Sequence, residues 1–182
     1  MKDAAVRSAG VRWAAGAVAV LVLAGDQVSK SLVLAARPSP SDGGVVSVRL
    51  VRNTGASFGL GAGHPLVIVA TAVAVIVIVA ALLARTRSRA AALCLAAVLG
   101  GALGNLADRL FRAPGLGRGA VVDWIHVSFY PATFNLADLA IRVGAVGAVI
   151  AMLDIRVRGA SWRARRSPAA DSLTPRDKQA DA

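Results

Sequence analysis

The chain has 182 residues, of which 56% are hydrophobic, 17% are charged and only 4% are aromatic. Its mean hydropathy of +0.62 is higher than a soluble domain of this length would have. The formal net charge of +11 comes without the aromatic residues of a nucleic-acid surface, so we expect the basic residues to meet anionic lipid headgroups. The composition predicts a membrane protein and excludes an ordinary soluble domain and a nucleic-acid-binding domain.

Four apolar segments predict four membrane-spanning helices, at about 12–36, 65–84, 90–110 and 134–155. The second contains no charged residue over 20 positions, and 20 helical residues at ~1.5 Å each span about 30 Å, the thickness of the hydrocarbon core. After Arg12, the first is interrupted only by Asp26 and Lys30, and the third is rich in small residues. The predicted fold class is an all-α integral membrane protein with four transmembrane helices.

Two segments connect the spans on their outer side, at about 37–64 and 111–133. The first contains GVVSVRLV, whose partial alternation of apolar and polar residues predicts a short strand or hairpin, and hence a small extracytoplasmic β-containing segment. The second contains Pro114 and three nearby glycines, which predict a loop. We interpret 1–155 as one membrane domain and 156–182 as a basic, disordered cytoplasmic tail.

Lysine and arginine residues are concentrated on one side of the four predicted spans. Basic residues precede the first span, join the second to the third, and follow the fourth. The positive-inside rule therefore predicts that both termini are cytoplasmic. In a second interpretation, the basic N-terminus and the apolar stretch after it form a cleavable secretory signal, which would leave three spans.

This topology gathers the unusual polar residues at the outer membrane surface, and charges at membrane level indicate a functional site. The residues concerned are Asp26, Lys30, Asn53, Asn105, Asp108, Arg109, Asp123, Asn135 and Asp138. Two structural alternatives stay open, because Asp26 and Lys30 are four residues apart on one helix and so are Asp138 and Arg142. Each pair could neutralise its own charges without taking part in chemistry.

Asp123 and Asp138 are returned to the same surface with no Lys or Arg between them. Two close carboxylates share one proton, so that one acid can activate water while the other stabilises the oxyanion of an amide under attack. The chain has no HExxH spacing, so we expect neither a metal nor another cofactor. A Ser–Lys dyad using Lys30, and a transporter or proton relay built from the intramembrane acids, stay open as alternatives.

Five short boxes follow one another along the chain: DQVSK at 26–30, NTGASFG at 53–59, GNLADR at 104–109, VVDW at 121–124 and FNLAD at 134–138. In order and spacing they resemble the signature of lipoprotein signal peptidase, the type II signal peptidase of bacteria. The resemblance implies an aspartyl endopeptidase of the bacterial cytoplasmic membrane, with its active site toward the extracytoplasmic face. Its implied substrates are prolipoproteins, cleaved just before a cysteine that carries diacylglycerol.

The resemblance implies that Asp123 and Asp138 are the catalytic pair. It implies substrate-binding or supporting roles for Asp26, Lys30, Asn53, Gly55, Asn105, Asp108, Arg109 and Asn135. The implied partners are lipid-modified prolipoproteins and membrane lipids, and we expect a monomer. Trp124 stands where the family commonly has Phe, and Arg142 matches no position with a family role.

Overall fold

The computed structural model describes residues 2–39, 44–55 and 63–165, with side chains described within 9–39, 44–55 and 63–154. In chain order its elements are α1 (Lys2–Ala36), β1 (Val46–Asn53), α2 (Pro65–Arg85), α3 (Arg89–Phe111), β2 (Val121–Val127) and α4 (Leu136–Arg165). Four long helices and a small β segment confirm the predicted fold class.

The helical segments that are long and apolar enough to cross a membrane are Ala9–Ala36, Pro65–Arg85, Arg89–Phe111 and Leu136–Asp154. They coincide closely with the four predicted spans. The helices themselves extend further, because α1 begins at Lys2 and α4 continues to Arg165. Of the predicted tail, 156–165 continue α4, whereas 166–182 lie outside the described residues, where disorder stays a prediction.

α3 lies at the centre of the bundle and packs against the other three helices. Its glycines allow this because neighbouring elements come very close to them. A Cβ atom on Gly101 would lie 2.6 Å from the carbonyl oxygen of Ala137, and one on Gly104 would lie 2.6 Å from Oδ2 of Asp26. The outward faces of α1, α2 and α4 instead expose large apolar side chains, as a surface in contact with lipid must.

The two strands form one antiparallel sheet, and β2 contacts both α1 and α3. β1 confirms the strand predicted in the first connecting segment. The loop prediction for the second connecting segment is wrong over Val121–Val127, which form β2. Pro114 and the glycines that suggested a loop lie before this strand, and VVDWIHV itself is rich in the β-branched and aromatic residues that favour strands.

The pairing of the two strands shifts by one residue within β1. Val48 lies opposite Ile125, whereas Val51 lies opposite Asp123, so β1 contains one extra residue between these pairs. Side chains alternate between the two faces of a strand, so the bulge puts Asn53, two positions after Val51, on the face that carries Asp123. In an unbroken register Asn53 would point to the opposite face.

Candidate active site

Asp123 and Asp138 line one cavity of about 530 Å³. Asp123 lies in the middle of β2 and is only 2% exposed, whereas Asp138 lies in the first turn of α4 and is less deeply buried. Asn53, Asn105 and Arg109 line the same cavity. The structure therefore brings together the two acids and three of the polar residues that the sequence singled out.

Two asparagine side chains connect the two acids. Nδ2 of Asn135 donates to Oδ1 of Asp123 at 2.6 Å and to Oδ1 of Asn105 at 3.2 Å. Nδ2 of Asn105 in turn donates to Oδ1 of Asp138 at 2.8 Å. Oδ1 of Asn135 accepts the backbone N–H of Asp138 at 2.9 Å, which is the N-cap bond of α4. One residue thus begins the helix that carries Asp138 and holds the carboxyl group of Asp123.

The other oxygen of Asp123 is held from β1. Nδ2 of Asn53 donates to Oδ2 of Asp123 at 3.1 Å, and Oδ1 of Asn53 accepts the backbone N–H of Gly55 at 2.9 Å. Arg109 donates to the carbonyl oxygen of Gly55 at 2.8 Å and to that of Asn105 at 3.1 Å. Arg109 therefore fixes the end of β1 against α3, and with it the position of Asn53.

Lys30 stands at the centre of a fully buried ionic cluster behind the cavity. Its Nζ atom lies 2.7 Å from Oδ2 of Asp26, 2.8 Å from Oδ2 of Asp108 and 2.9 Å from Oδ1 of Asn105. Asp26, Lys30 and Asp108 are each 0% exposed. The three contacts occupy all three donors of the ammonium group, which leaves Lys30 without the free amine that a Ser–Lys dyad needs.

The ionic cluster holds backbone groups next to both acids. Oδ1 of Asp26 accepts the N–H of Ala137 in the first turn of α4 at 3.0 Å, beside Asp138. Oδ2 of Asp108 accepts the N–H of Val122 at 3.1 Å, beside Asp123. The ion pair between Asp26 and Lys30, which the sequence left as an open alternative, is present in the structure. Asp26 also joins α1 to α4, the helix that carries Asp138.

Sequence reasoning missed two residues that contact this cluster, Gln27 and Arg112. Nε2 of Gln27 donates to Oδ1 of Asp108 at 3.0 Å, and Nε of Arg112 lies 2.6 Å from the same oxygen. Arg112 also donates to Oε1 of Gln27 at 3.3 Å. The sequence does carry a signal for Arg112, because it follows Asp108 by four residues on one helix, the spacing at which opposite charges meet. Gln27 stands inside the DQVSK box, but an uncharged polar residue at a helix position carries little signal by itself.

Arg142 does not form the ion pair with Asp138 that their spacing allowed. Among the contacts between described residues, its guanidinium lies over the rings of Phe134 and Tyr130, 5.6 and 5.9 Å from their centroids. These are cation–π distances. Asp138 remains in the cavity with Asn105 as its side-chain donor, so the alternative in which Arg142 neutralises it is wrong.

Burial raises the pKa of Asp123 from its ordinary value of 3.8 to about 6. The hydrogen bond from Asn53 opposes this shift, the negative charge of Asp138 adds to it, and the hydrogen bond from Asn135 opposes it. Asp123 thus retains its proton at a pH where an ordinary aspartate has lost it. The site combines this acid with a more exposed carboxyl group in one cavity, and two such groups can act as a general acid and a general base. Among the described residues, no three His, Cys, Asp or Glu side chains converge as metal ligands.

A family model described as "Signal peptidase (SPase) II" matches residues 18–154 of the chain, a range that contains every residue of the site. Among curated proteins, the lipoprotein signal peptidase of Rhodococcus jostii (strain RHA1) is 44% identical over 140 residues, covering 75% of this chain and 70% of that protein. The lipoprotein signal peptidase of Mycobacterium avium (strain 104) is 41% identical over 137 residues, covering 73% of this chain and 75% of that protein.

Solved structures of bacterial membrane enzymes have the same fold. One superimposes with a TM-score of 0.68 at 23% sequence identity, covering 77% of this chain and 87% of that chain. Another superimposes with a TM-score of 0.65 at 22% sequence identity, covering 76% of this chain and 92% of that chain. The fold and the site together define a multi-pass membrane protein with two carboxyl groups in one cavity. The chain belongs to the signal peptidase II family and is therefore a peptidase. This confirms the resemblance carried by the five sequence boxes.

Proposed function

We propose that the protein is an aspartyl endopeptidase that removes signal peptides from diacylglyceryl-modified prolipoproteins and cuts before the lipidated cysteine. The family and the names of the relatives support the substrate class. The observation that carries the mechanism is the single cavity lined by Asp123 and Asp138, in which two asparagines link the two acids. Both acids come from one chain, which supports a monomer as the proposed active form.

The burial of Asp123 and the exposure of Asp138 support different roles for the two acids. Asp123 is almost fully buried and has its pKa raised to about 6, so it is the acid that carries the shared proton. Asp138 is more exposed to the cavity and accepts from Asn105, so it acts as the carboxylate base.

The reaction then needs one water molecule and no added reactant. Asp138 takes a proton from water as the water oxygen attacks the scissile carbonyl carbon, and the proton of Asp123 stabilises the developing oxyanion. When the tetrahedral species collapses, the carbon–nitrogen bond breaks and the leaving nitrogen receives the proton held by Asp138. A carboxyl group and an amine are the products, and the pair again shares one proton.

The apolar part of the cavity supports a substrate that stays in the membrane. α2 contributes the apolar residues Val67, Ile68, Ala72 and Val75 to the cavity wall. A cysteine that carries two acyl chains keeps those chains in the bilayer, so its scissile bond reaches the enzyme at membrane level. A wall of this composition accepts hydrocarbon while the polar end of the same cavity receives the peptide.

The distribution of basic residues supports an orientation with both termini in the cytoplasm and the cavity toward the extracytoplasmic face. Arg118 is exposed in the segment between α3 and β2, on the side of the sheet. Arg118→Cys should react in intact cells with a thiol reagent that cannot cross the membrane. Labelling only after the cells are opened would contradict this orientation.

Incubation of the purified protein with a diacylglyceryl-modified precursor, followed by mass spectrometry, tests the proposed function. We expect a signal peptide that ends at the residue before the modified cysteine, together with a lipidated product that begins at it. The same precursor without diacylglycerol is the matched control and should remain uncut. Cleavage at another bond, or equal cleavage of both precursors, would contradict the proposal.

A further inference from the structure

A second cavity, of about 990 Å³, lies between α1 and α2. Its walls are apolar and consist largely of small residues, including Ala15, Gly16, Ala80 and Ala84. It lies far from Asp123 and Asp138. Arg12 at its edge precedes Asp26 by 14 residues, about 21 Å along α1, and Asp26 is the residue of α1 that binds the backbone beside Asp138. The cavity is therefore a groove at the opposite end of the bundle from the candidate active site.

The polar edge of this groove is cationic. Arg12, Arg85 and Arg87 line it, and all three side chains are exposed. None of the three forms an ion pair with a carboxylate in the described part of the chain. Three guanidinium groups at the mouth of an apolar groove leave a positive charge that no described carboxylate neutralises there.

We propose that this groove binds one anionic phospholipid from the adjacent leaflet. The planar guanidinium groups of Arg12, Arg85 and Arg87 match a phosphate, which they can contact through paired N–H groups. The walls of alanine, glycine and leucine match acyl chains. The site holds the lipid by charge at its edge and by burial between two helices, and it is separate from the cavity that contains the acids.

The packing of α2 gives the bound lipid a structural role. α2 packs mainly against α3, and α1 does not close against it at this end. The same helix supplies Val67 and Val75 to the wall of the cavity that contains the acids. A lipid in the groove therefore supports α2 on the side that the protein leaves open.

Two kinds of variant separate the headgroup contact from the acyl contact. Arg12→Gln, Arg85→Gln and Arg87→Gln together remove the cationic edge, and the matched control combines Arg37→Gln, Arg52→Gln and Arg118→Gln. Each triple variant lowers the formal net charge from +11 to +8. Gly16→Leu fills the groove, because a Cβ atom at Gly16 meets nothing within 4 Å, and Gly25→Leu, at an equally open position of α1, is its control.

Native mass spectrometry of the purified full chain, titrated with phosphatidylglycerol or phosphatidylcholine of the same acyl chains, measures binding of each lipid. We expect the wild type to prefer phosphatidylglycerol. An arginine near an anionic group contributes roughly fivefold, so the groove triple variant should lose on the order of a hundredfold in phosphatidylglycerol affinity. Gly16→Leu should weaken the binding of both lipids by about tenfold or more. The control triple variant and Gly25→Leu should bind both lipids as the wild type does.

Equal affinity of the wild type for the two lipids would overturn the proposal. An equal loss in the two triple variants would mean a general charge effect and would overturn it too. If the groove triple variant fails to insert, the comparison of Gly16→Leu with Gly25→Leu decides alone. Unchanged phosphatidylglycerol binding by Gly16→Leu would mean that the lipid binds elsewhere and would refute the site. These outcomes do not depend on peptidase activity.

Discussion

Nδ2 of Asn135 donates a 2.6 Å hydrogen bond to Oδ1 of Asp123, while Oδ1 of Asn135 caps the helix that carries Asp138. The two functions belong to different atoms of one side chain, so substitution can separate them. The amide is needed to hold Asp123. An oxygen that accepts the N–H of Asp138 is enough to cap α4.

Asn135→Ser should keep the cap and lose the bond to Asp123, whereas Asn135→Ala should lose both. We expect Ala to cost about 1 kcal/mol more stability than Ser, which is the usual value of an N-cap. Both variants should lose most of the cleavage activity, because neither orients Asp123. Thermal unfolding in detergent and cleavage assays measure the two effects. If Asn135→Ser kept wild-type cleavage activity, the N-cap bond alone would matter and the hydrogen bond to Asp123 would not.

The close contact of Gly104 with Asp26 predicts opposite effects of the same substitution at two glycines. A Cβ atom on Gly104 would lie 2.6 Å from Oδ2 of Asp26, the oxygen bound to Lys30, whereas a Cβ atom on Gly25 meets nothing within 4 Å. Both glycines are helical, where alanine is intrinsically more favourable by about 1 kcal/mol. Gly25→Ala should therefore stabilise the protein, and Gly104→Ala should destabilise it. Thermal unfolding of both variants checks this, and equal changes would contradict the close packing.

Lys30 is the cation that contacts Asp26 in the interior, whereas Asp108 also contacts Arg112, so removing Lys30 leaves the buried charge of Asp26 without a cationic partner among the described residues. Lys30→Met should destabilise the protein by about 3–5 kcal/mol. Asp26→Asn together with Lys30→Met should cost less than the sum of the two single substitutions, because the residues are in direct contact. A cycle of thermal or denaturant unfolding measures this. Strictly additive losses would mean that the ion pair contributes nothing to folding.

The raised pKa of Asp123 makes stability depend on pH. The folded protein holds this proton with a pKa of about 6, against 3.8 for an ordinary aspartate, so the contribution is fully present below pH ~4. It is lost as the pH rises through about 6, and two pKa units correspond to on the order of 3 kcal/mol. Wild-type stability should fall between pH 4 and 7 by more than that of Asp123→Asn. If the stability of wild type and of Asp123→Asn changed equally between pH 4 and 7, the raised pKa of Asp123 would be contradicted.

The spans could be predicted because membrane insertion imposes a simple requirement on sequence. A run such as Pro65–Arg85 must be apolar over the thickness of the bilayer, whatever it packs against. Asp123 and Asp138 were also found correctly as neighbours at one surface, because four spans leave few ways to return two segments to the same side. The β2 strand was missed, since Asp123 and His126 interrupt its apolar pattern and glycines precede it.

The internal contacts of the site could not be predicted, because they depend on packing and register. The spacing of Asp26 and Lys30 predicts a pair, but it carries no information that Asp108 approaches the same ammonium from α3. The face of the sheet toward which the Asn53 side chain points depends on one extra residue in β1. Arg142 had an acid four residues away and nevertheless lies over two aromatic rings, which only the tertiary structure brings to it.

The central claim is that two carboxyl groups act as one catalytic unit, and cleavage of a diacylglyceryl-modified precursor by four proteins tests it most directly. Asp123→Asn, Asp138→Asn and the double variant are compared with the wild type, after binding of the precursor is measured for each. We expect each single variant to bind the precursor and to lose cleavage. The double variant should be no worse than either single one, because residues that act as a unit are not additive. Near wild-type turnover by Asp123→Asn or Asp138→Asn on the bound precursor would contradict the aspartyl mechanism.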